Sequence, residues 1–275
     1  VCYDPFASML IGGCLESGRD MFQGGAALGA HWSFYAYGLG TAADAMTAVK
    51  RAVYDEKRVT LTALAGVLAR NFEGDAPLRA ALEGAPHYGN DEDEVDKIAQ
   101  RILSAFDDHV LSLNSPAEKD KYVSTLFGYF FHVYHGEITG ATPNGRLKGE
   151  PFSDSMGPSQ GQDVSGPTAM LNSVLKLDHG GVTGGYALNL KINPSLVRGE
   201  AGRAALTTLL GAYLEGGGPQ VQVNFADAET LRAAKREPRK YRNVIVRIGG
   251  YCEYFVNLDE SLQDEIITRT IHGLA

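Results

Sequence analysis

A pair of adjacent glycines, Gly249 and Gly250, lies between two runs of alternating apolar and polar residues near the C-terminal end of the sequence. The alternation over 244–248 and again over 254–258 has the period of two that is typical of strands with one buried face. From 260 to 272 the apolar residues change to the spacing of an amphipathic helix. The sequence therefore predicts a strand, a glycine loop, a second strand and a terminal helix.

Two explanations account for a glycine pair in such a loop. The structural one is a tight hairpin or bulge that needs a positive φ, which glycine adopts without steric cost. The chemical one is a radical site, since a glycine α-carbon that loses a hydrogen atom becomes planar and is stabilised by the donating nitrogen and the withdrawing carbonyl beside it. A β-carbon would clash when that centre flattens, so glycine suits this chemistry.

The residues around the pair favour the chemical explanation. The run Arg247-Ile248-Gly249-Gly250-Tyr251 resembles the glycyl radical motif of the pyruvate formate-lyase and diol dehydratase superfamily. The similarity continues in register through Phe255, Leu258, Gln263, Ile266, Ile267, Arg269 and Thr270. In that motif the radical glycine directly precedes the tyrosine, so the resemblance implies that Gly250, and not Gly249, carries the radical.

Composition and charge narrow the function classes. With 275 residues, of which 44% are hydrophobic, the chain can bury a sizeable core. The net charge of −8 argues against nucleic-acid binding, which needs a basic surface. The lack of a long apolar run or a signal peptide predicts a cytoplasmic chain that does not bind membranes. We predict no bound cofactor and no metal.

The three cysteines, Cys2, Cys14 and Cys252, are too far apart to predict a disulfide framework or a metal site, which fits a reducing cytoplasm. At Cys252 the radical motif has a small residue such as alanine or serine. We predict that the Cys252 thiol is packed and unreactive, because free cysteines are commonly buried as small apolar side chains. The alternative is a local hydrogen-atom donor, since the thiol is two residues from Gly250.

Cys14 poses a separate problem, because the run 13–16 matches the catalytic Gly-Cys-x-Glu loop of glycyl radical eliminases. The resemblance also includes a Cys-x-Glu-x-Gly-Arg-Asp stretch with a following Gly-Gly-Ala turn, which fits 14–20 and 24–26 and directly precedes the family landmark at 40–46. We therefore interpret Cys14 as structural, and expect the catalytic cysteine outside this chain. Glu16 is interpreted as a capping or solvated carboxylate, with a position facing the substrate cavity as the alternative.

The order of the remaining patterns predicts an α/β architecture with parallel strand pairing. Strands are expected over 188–192 and 221–225, with a helix over 201–214 between them. The resemblance implies the C-terminal half of the ten-stranded α/β barrel of glycyl radical enzymes, with the C-terminal glycyl radical loop threaded into its interior. It divides the chain into part of the pyruvate formate-lyase-like barrel domain, residues 1–140, and a glycine radical domain, residues 141–275.

Helices are also predicted from a capping-box-like start at Thr41 and Asp44, over 60–72, and from 91 onward, where 91–94 place acidic side chains in the first turn of a long helix. The aromatic run 123–133 is interpreted as a buried strand. In the aromatic segment 31–37, the resemblance implies one or two contacts with substrate and we expect core packing for the rest. The three histidines without a convincing ligand partner are interpreted as hydrogen-bonded core or surface residues: His132, His135 and His179.

Three functional hypotheses follow. The first is a portion of a glycyl radical enzyme that passes the Gly250 radical to a catalytic cysteine for anaerobic cleavage of C–C, C–O or C–N bonds, of the dehydratase, lyase or formate acetyltransferase type. The resemblance then implies a separate activase that uses S-adenosylmethionine and an iron–sulfur cluster, a small-molecule substrate and a homodimer. Because the sequence begins at Val1, we expect a preceding half, or an equivalent chain, to carry the cysteine.

The second hypothesis is a radical-carrying repair subunit that resembles the autonomous glycyl radical cofactor and has no activity alone. Its length argues against this, because a repair subunit needs the terminal domain and little else. The third is a structural protein that has lost the chemistry, and the intact Arg247, Gly250 and Tyr251 argue against that.

Overall fold

The computed structural model describes residues 3–29, 31–118, 121–225, 227–248 and 250–269. Cys2, Gly249 and the predicted end of the last helix at 272 lie outside these ranges. The α-helices are α1 Pro5–Met9, α2 Cys14–Ser17, α3 Leu39–Val49, α4 Leu61–Ala69, α5 Ala76–Glu83, α6 Asp93–Ser112, α7 Phe131–Ile138, α8 Pro167–Leu175, α9 Glu200–Glu215, α10 Ala228–Arg236 and α11 Glu260–Thr268. The strands are β1 His31–Tyr35, β2 Lys121–Thr125, β3 Asn189–Lys191, β4 Gln222–Asn224, β5 Ile245–Arg247 and β6 Cys252–Tyr254.

The first four strands pair in parallel, as the alternation of strand and helix patterns predicts. β1 pairs with β2 and β3 pairs with β4. A parallel bridge between Leu126 and Tyr186 links the chain just after β2 to the chain just before β3. Long helical connections are what parallel neighbours require, and α9 supplies one of them between β3 and β4.

The main core forms between the β3–β4 pair and helices α3, α6, α8 and α9. Leu188, Leu190 and Ile192 alternate along β3 and its flanks, and each is fully buried. Val95, Ala99 and Leu103 provide the buried face of α6 at helical spacing. A strand and a helix thus share one apolar core, which fixes the position of β3.

A second, smaller core lies under the C-terminal hairpin formed by β5 and β6. Val246, Ile248 and Phe255 pack there with Leu262 and Ile266 from α11. β5 and β6 are antiparallel, with Arg247 opposite Cys252. The predicted order of strand, glycine loop, strand and helix is confirmed by these elements.

The predicted strand over 123–133 is too long. β2 ends at Thr125, Tyr129 adopts a φ of +48°, and helix α7 begins at Phe131. The amide of Gly128 donates to the hydroxyl of Ser155 at 3.0 Å, which helps to turn the chain out of the sheet. An apolar run without periodicity does not separate a buried strand from a buried helix, and this run contains both.

Two further element boundaries differ from the prediction. The strand expected over 254–258 ends at Tyr254 and continues as the 3₁₀ helix Phe255–Asn257. The side chain of Gln263 donates to the carbonyls of Phe255 and Leu258, so these groups need no partner strand. The predicted helix start at Thr41 is also wrong, since the helix begins at Leu39.

Helix α3 begins at Leu39, two residues before Thr41, with Gly38 at a φ of +80° as its N-cap. The hydroxyl of Thr41 accepts a hydrogen bond from the amide of Ser153 at 2.8 Å. Asp44 accepts one from the amide of Tyr88 at 2.8 Å. Both side chains therefore hold distant loops against α3 instead of capping it.

The prediction that most of the aromatic segment 31–37 packs in the core is also wrong. All five residues of β1 are exposed, including Trp32 at 60%. Within the described residues β1 pairs with β2 alone.

The helices were also compared with the length and hydropathy of a membrane span. In the part of the chain that the structure describes, none of them meets both requirements.

Candidate functional site

Gly250 occupies the turn of the β5–β6 hairpin. The amide of Ile248 donates to the carbonyl of Tyr251 at 3.0 Å and closes the loop. Gly250 has a φ of +79°, which favours glycine, and a β-carbon there would approach Cζ of Phe127 to 3.0 Å. Gly250 is therefore in a tight turn that needs a positive φ, as the structural explanation of the glycine pair predicts. A radical site at the same α-carbon is compatible with this turn.

The hairpin is attached to the β3–β4 pair by side-chain amides. Asn189 donates to the carbonyl of Ile248 at 3.0 Å, and Asn224 accepts from the amide of Arg247 at 3.0 Å. Gln222 accepts from the amide of Gly250 at 3.1 Å and from Nε of Arg247 at 2.6 Å. The backbone that enters the glycine loop and the amide of Gly250 itself thus hydrogen-bond to one face of two neighbouring strands.

These amides share a face because of strand geometry. In β4, Gln222 and Asn224 are two residues apart, and side chains at that separation point to the same side. Asn189 of β3 lies directly beside Gln222 in the parallel register, and Lys191 lies beside Asn224. We call these four residues the polar face: Asn189, Lys191, Gln222 and Asn224.

Lys191 completes the polar face by holding the end of α11. Its buried Nζ donates to the carbonyl of Ile266 at 3.1 Å and lies 3.4 Å from the carbonyls of Ile267 and Arg269. A cation at a helix C-terminus is favoured by the helix dipole. Burial nevertheless lowers the pKa of Lys191 to about 8.

A buried ionic cluster lies beside the same helix. The Glu265 carboxylate is 3.2 Å from Nε2 of His132 and 2.8 Å from Nε of Arg269. Asp154 lies 3.7 Å from both His132 and Arg269 and accepts a hydrogen bond from Asn189 at 2.6 Å. The cluster thereby connects α7, α11 and the polar face.

The charges in this cluster shift one another's pKa values. Burial by itself raises the pKa of Glu265, but Arg269 and His132 outweigh it, and the result is a pKa well below the usual range. Burial lowers the pKa of His132, while Asp154 and Glu265 reverse the effect and raise it. His132 therefore has acidic partners that its position in the sequence gave no means to identify.

The described cysteines have different surroundings. Cys14 is buried, as expected of a structural cysteine, and the Glu16 carboxylate accepts from the amide of Gly13 at 2.9 Å in a helix-capping contact. Cys252, in contrast, is exposed, with its sulfur 3.5 Å from the Arg247 guanidinium. The prediction of a packed Cys252 is wrong, because the β6 side chain at that position points away from the small core under the hairpin.

The loop expected inside a barrel is open to solvent in this chain. Gly250 is exposed, and the Tyr251 side chain is 37% exposed. The polar face and Phe127 cover the loop from one side. We found no group of three or more His, Cys, Asp or Glu side chains that could hold a metal ion within the described residues.

Two family models match the sequence. The model described as pyruvate formate lyase-like matches residues 1–136, and the model described as glycine radical matches residues 152–256, which include the hairpin. The chain belongs to the glycyl radical enzyme superfamily. Its fold is that of the corresponding portion of a glycyl radical enzyme barrel, toward the C-terminal end of those proteins.

Individual glycyl radical enzymes agree with this assignment. The chain is 39% identical to trans-4-hydroxy-L-proline dehydratase of Clostridioides difficile, with 97% of this chain and 34% of that protein aligned. It is 37% identical to isethionate sulfite-lyase of Nitratidesulfovibrio vulgaris, with 98% and 33% aligned. The glycerol-bound structure of the B12-independent glycerol dehydratase from Clostridium butyricum superposes with a TM-score of 0.93 at 37% identity, over 98% of this chain and 34% of that one. The chain thus spans about a third of the length of these glycyl radical enzymes.

Sequence reasoning about the superfamily motif found the hairpin but missed the residues that hold it. The motif does not point to the four polar-face residues, and it does not point to Asp154 or Glu265. The sequence does contain a signal for them, because polar residues alternate with apolar ones in both β3 and β4, where Leu190 is buried and Val223 is half-buried. Two adjacent strands with the same alternation predict one polar and one apolar face.

Proposed function

We propose that Gly250 stores a carbon-centred radical and passes it to a catalytic cysteine located outside this chain. A separate activase that uses S-adenosylmethionine and an iron–sulfur cluster removes one hydrogen atom from the α-carbon of Gly250. The cysteine returns a hydrogen atom to that carbon and becomes a thiyl radical, which takes a hydrogen atom from a small-molecule substrate. The resulting reaction is an anaerobic bond cleavage of the dehydratase or lyase type, in keeping with the relatives named above.

The observation that carries the proposal is the hairpin itself. The motif from Arg247 to Tyr251 lies in a segment matched by the glycine radical model, and Gly250 is at its turn with a positive φ. The α-carbon of Gly250 has solvent on one side and an anchored backbone on the other. An activase can approach from the open side while the backbone of the loop is held in place.

The surroundings of Cys14 and Cys252 also support a catalytic cysteine outside this chain. Cys14 is buried at 3% exposure, so its thiol is shielded from substrate. Cys252 is on the hairpin itself, two residues from Gly250 and opposite Arg247. We propose that the remaining portion of the barrel, on the same polypeptide or an equivalent chain, brings the thiyl cysteine and covers Gly250, and that the enzyme is a homodimer.

Electron paramagnetic resonance tests the radical assignment. The protein is activated under anoxic conditions with a radical activase, S-adenosylmethionine and a reductant. We expect a doublet that collapses when the protein is made with α-deuterated glycine, since the splitting comes from the remaining α-hydrogen. The Gly250→Ala variant should give no glycyl signal.

A matched control separates radical loss from backbone strain. Gly217 is also exposed and has a φ of +95°, with no heavy atom within 4 Å of a built β-carbon. Gly217→Ala should strain the backbone in a similar way and leave the signal intact. A full signal in Gly250→Ala, or a doublet insensitive to deuterated glycine, would contradict the proposed function.

A further inference from the structure

The amide of Gly250 has a specific acceptor, the side-chain oxygen of Gln222. The N···O distance is 3.1 Å, and Gln222 is buried at 6% exposure although Gly250 is exposed. Burying an amide oxygen without a donor is costly. The buried side-chain oxygen of Gln222 therefore has a specific donor in the exposed glycine loop.

The orientation of the Gln222 amide is determined by two donors. Nε of Arg247 and the backbone amide of Gly250 both point to the same side-chain atom, at 2.6 and 3.1 Å. Both groups are donors, so the atom between them must be the carbonyl oxygen. The motif arginine therefore holds the glutamine in the rotamer that binds the radical-site amide.

The contact bears directly on the chemistry proposed above. In a glycyl radical the unpaired electron is shared by the α-carbon, the amide nitrogen and the adjacent carbonyl. A hydrogen bond from the N–H to a carbonyl oxygen polarises the amide and strengthens donation from nitrogen. It also fixes the plane of the peptide group, on which overlap with the α-carbon depends.

We propose, on the basis of the proposed function, that Gln222 is a positioning residue that holds the Gly250 amide and thereby sets the spin distribution and lifetime of the glycyl radical. Arg247 acts through it by fixing its side chain. Asn224 supplies a comparison, because its side chain binds the amide of Arg247, whereas the amide of Gly250 binds Gln222. The proposal requires the two polar-face residues to differ in their effect on the radical.

The test compares three variants of the protein. Gln222→Met removes the acceptor and keeps the length of the side chain. Gln222→Glu keeps an acceptor oxygen between the same two donors. Asn224→Ala removes a hairpin hydrogen bond that does not involve Gly250.

The first measurement needs no radical. Hydrogen exchange at residue resolution should show the Gly250 amide exchanging roughly two- to tenfold faster in Gln222→Met than in the parent, the effect of losing one net hydrogen bond. Gln222→Glu should restore protection. Equal exchange in Gln222→Met and the parent would overturn the proposal whether or not Gly250 carries a radical.

The second measurement follows the radical after anoxic activation. Gln222→Met should show a larger α-hydrogen splitting and a shorter-lived signal than the parent, because more spin stays on the carbon, and Gln222→Glu should revert toward the parent. Identical spectra and lifetimes in Gln222→Met and the parent, or the same change in Asn224→Ala, would overturn the proposal. Absence of a glycyl signal in the parent would overturn the proposed function itself.

Discussion

The two faces of the β3–β4 pair hold their neighbours by different interactions. One face places Leu188, Leu190 and Ile192 in the main core, where each is fully buried. The other presents the polar face, whose amides and lysine bind the glycine hairpin and the end of α11. Apolar packing is strong and has little directionality, whereas each hydrogen bond contributes a small net free energy and fixes an orientation.

This difference suits the two tasks. The main core has to keep the strands together, and burial of many methyl groups does so. A radical site needs one peptide group held in one orientation, which hydrogen bonds determine better than packing does. The following predictions test whether the two faces, and the ionic cluster beside them, differ as this account requires.

The largest effect is expected from the ionic cluster. Glu265→Gln removes the charge that pairs with His132 and Arg269 and leaves a buried guanidinium without its main partner. The free energy of unfolding should fall by about 3–5 kcal/mol, as is usual when one partner of a buried pair is removed. Chemical denaturation measures this.

A solvent-accessible ionic group of three residues provides the control for Glu265→Gln. Glu94 pairs with Lys50 and Arg51 on the surface. Glu94→Gln should lower the free energy of unfolding by no more than about 1 kcal/mol, because exposed ion pairs contribute little. Equal losses in the two variants would show that burial of the cluster has no energetic importance.

Truncation of the apolar face comes next. Leu190→Ala removes a fully buried side chain from the main core. We expect a loss of about 2–5 kcal/mol in the free energy of unfolding, from lost transfer energy and the cavity left behind. The loss should appear in the global denaturation midpoint, while protection of the hairpin relative to the core stays unchanged.

The buried lysine predicts a dependence on pH. Because the pKa of Lys191 is about 8 in the folded chain and near its ordinary 10.5 when unfolded, the unfolded state binds more protons between these values. Stability should therefore rise with pH across that window relative to Lys191→Met, by roughly 1–3 kcal/mol. A constant difference between the two proteins from pH 8 to pH 10 would rule out the depressed pKa.

The smallest effect is expected from a single amide of the polar face. Asn224→Ala removes the acceptor of the Arg247 amide. The free energy of unfolding should fall by about 0.5–1.5 kcal/mol, the net contribution of one hydrogen bond. Hydrogen exchange should show the loss concentrated in the hairpin, and a loss as large as that of Leu190→Ala would remove the distinction between the faces.

Much of this architecture could be predicted from the sequence, for identifiable reasons. The apolar alternation around Leu190 and Val223 predicted β3 and β4, because one-sided burial leaves a period of two. Helices α4 and α9 followed from helical spacing. The glycine hairpin followed from the motif, and the positive φ of Gly250 agrees with it.

Several of the errors have a common physical cause, since they concern contacts between segments distant in sequence. Thr41 and Asp44 looked like a cap but bind Ser153 and Tyr88, far along the chain. The burial of Cys252 depends on what lies over the hairpin, which local sequence does not specify. His132 acquired its partners through folding, as a helix and a loop brought Glu265 and Asp154 to it.

The central claim is that Gly250 carries the radical, and oxygen offers the most direct test. Oxygen cleaves the backbone at a glycyl radical, so the protein is activated without air, exposed briefly to air and weighed by intact mass measurement. We predict a new pair of fragments whose masses place the cut at Gly250, present in Gly217→Ala and absent in Gly250→Ala. An uncleaved protein after an activation that yields a radical, or a cut at another residue, would contradict the account.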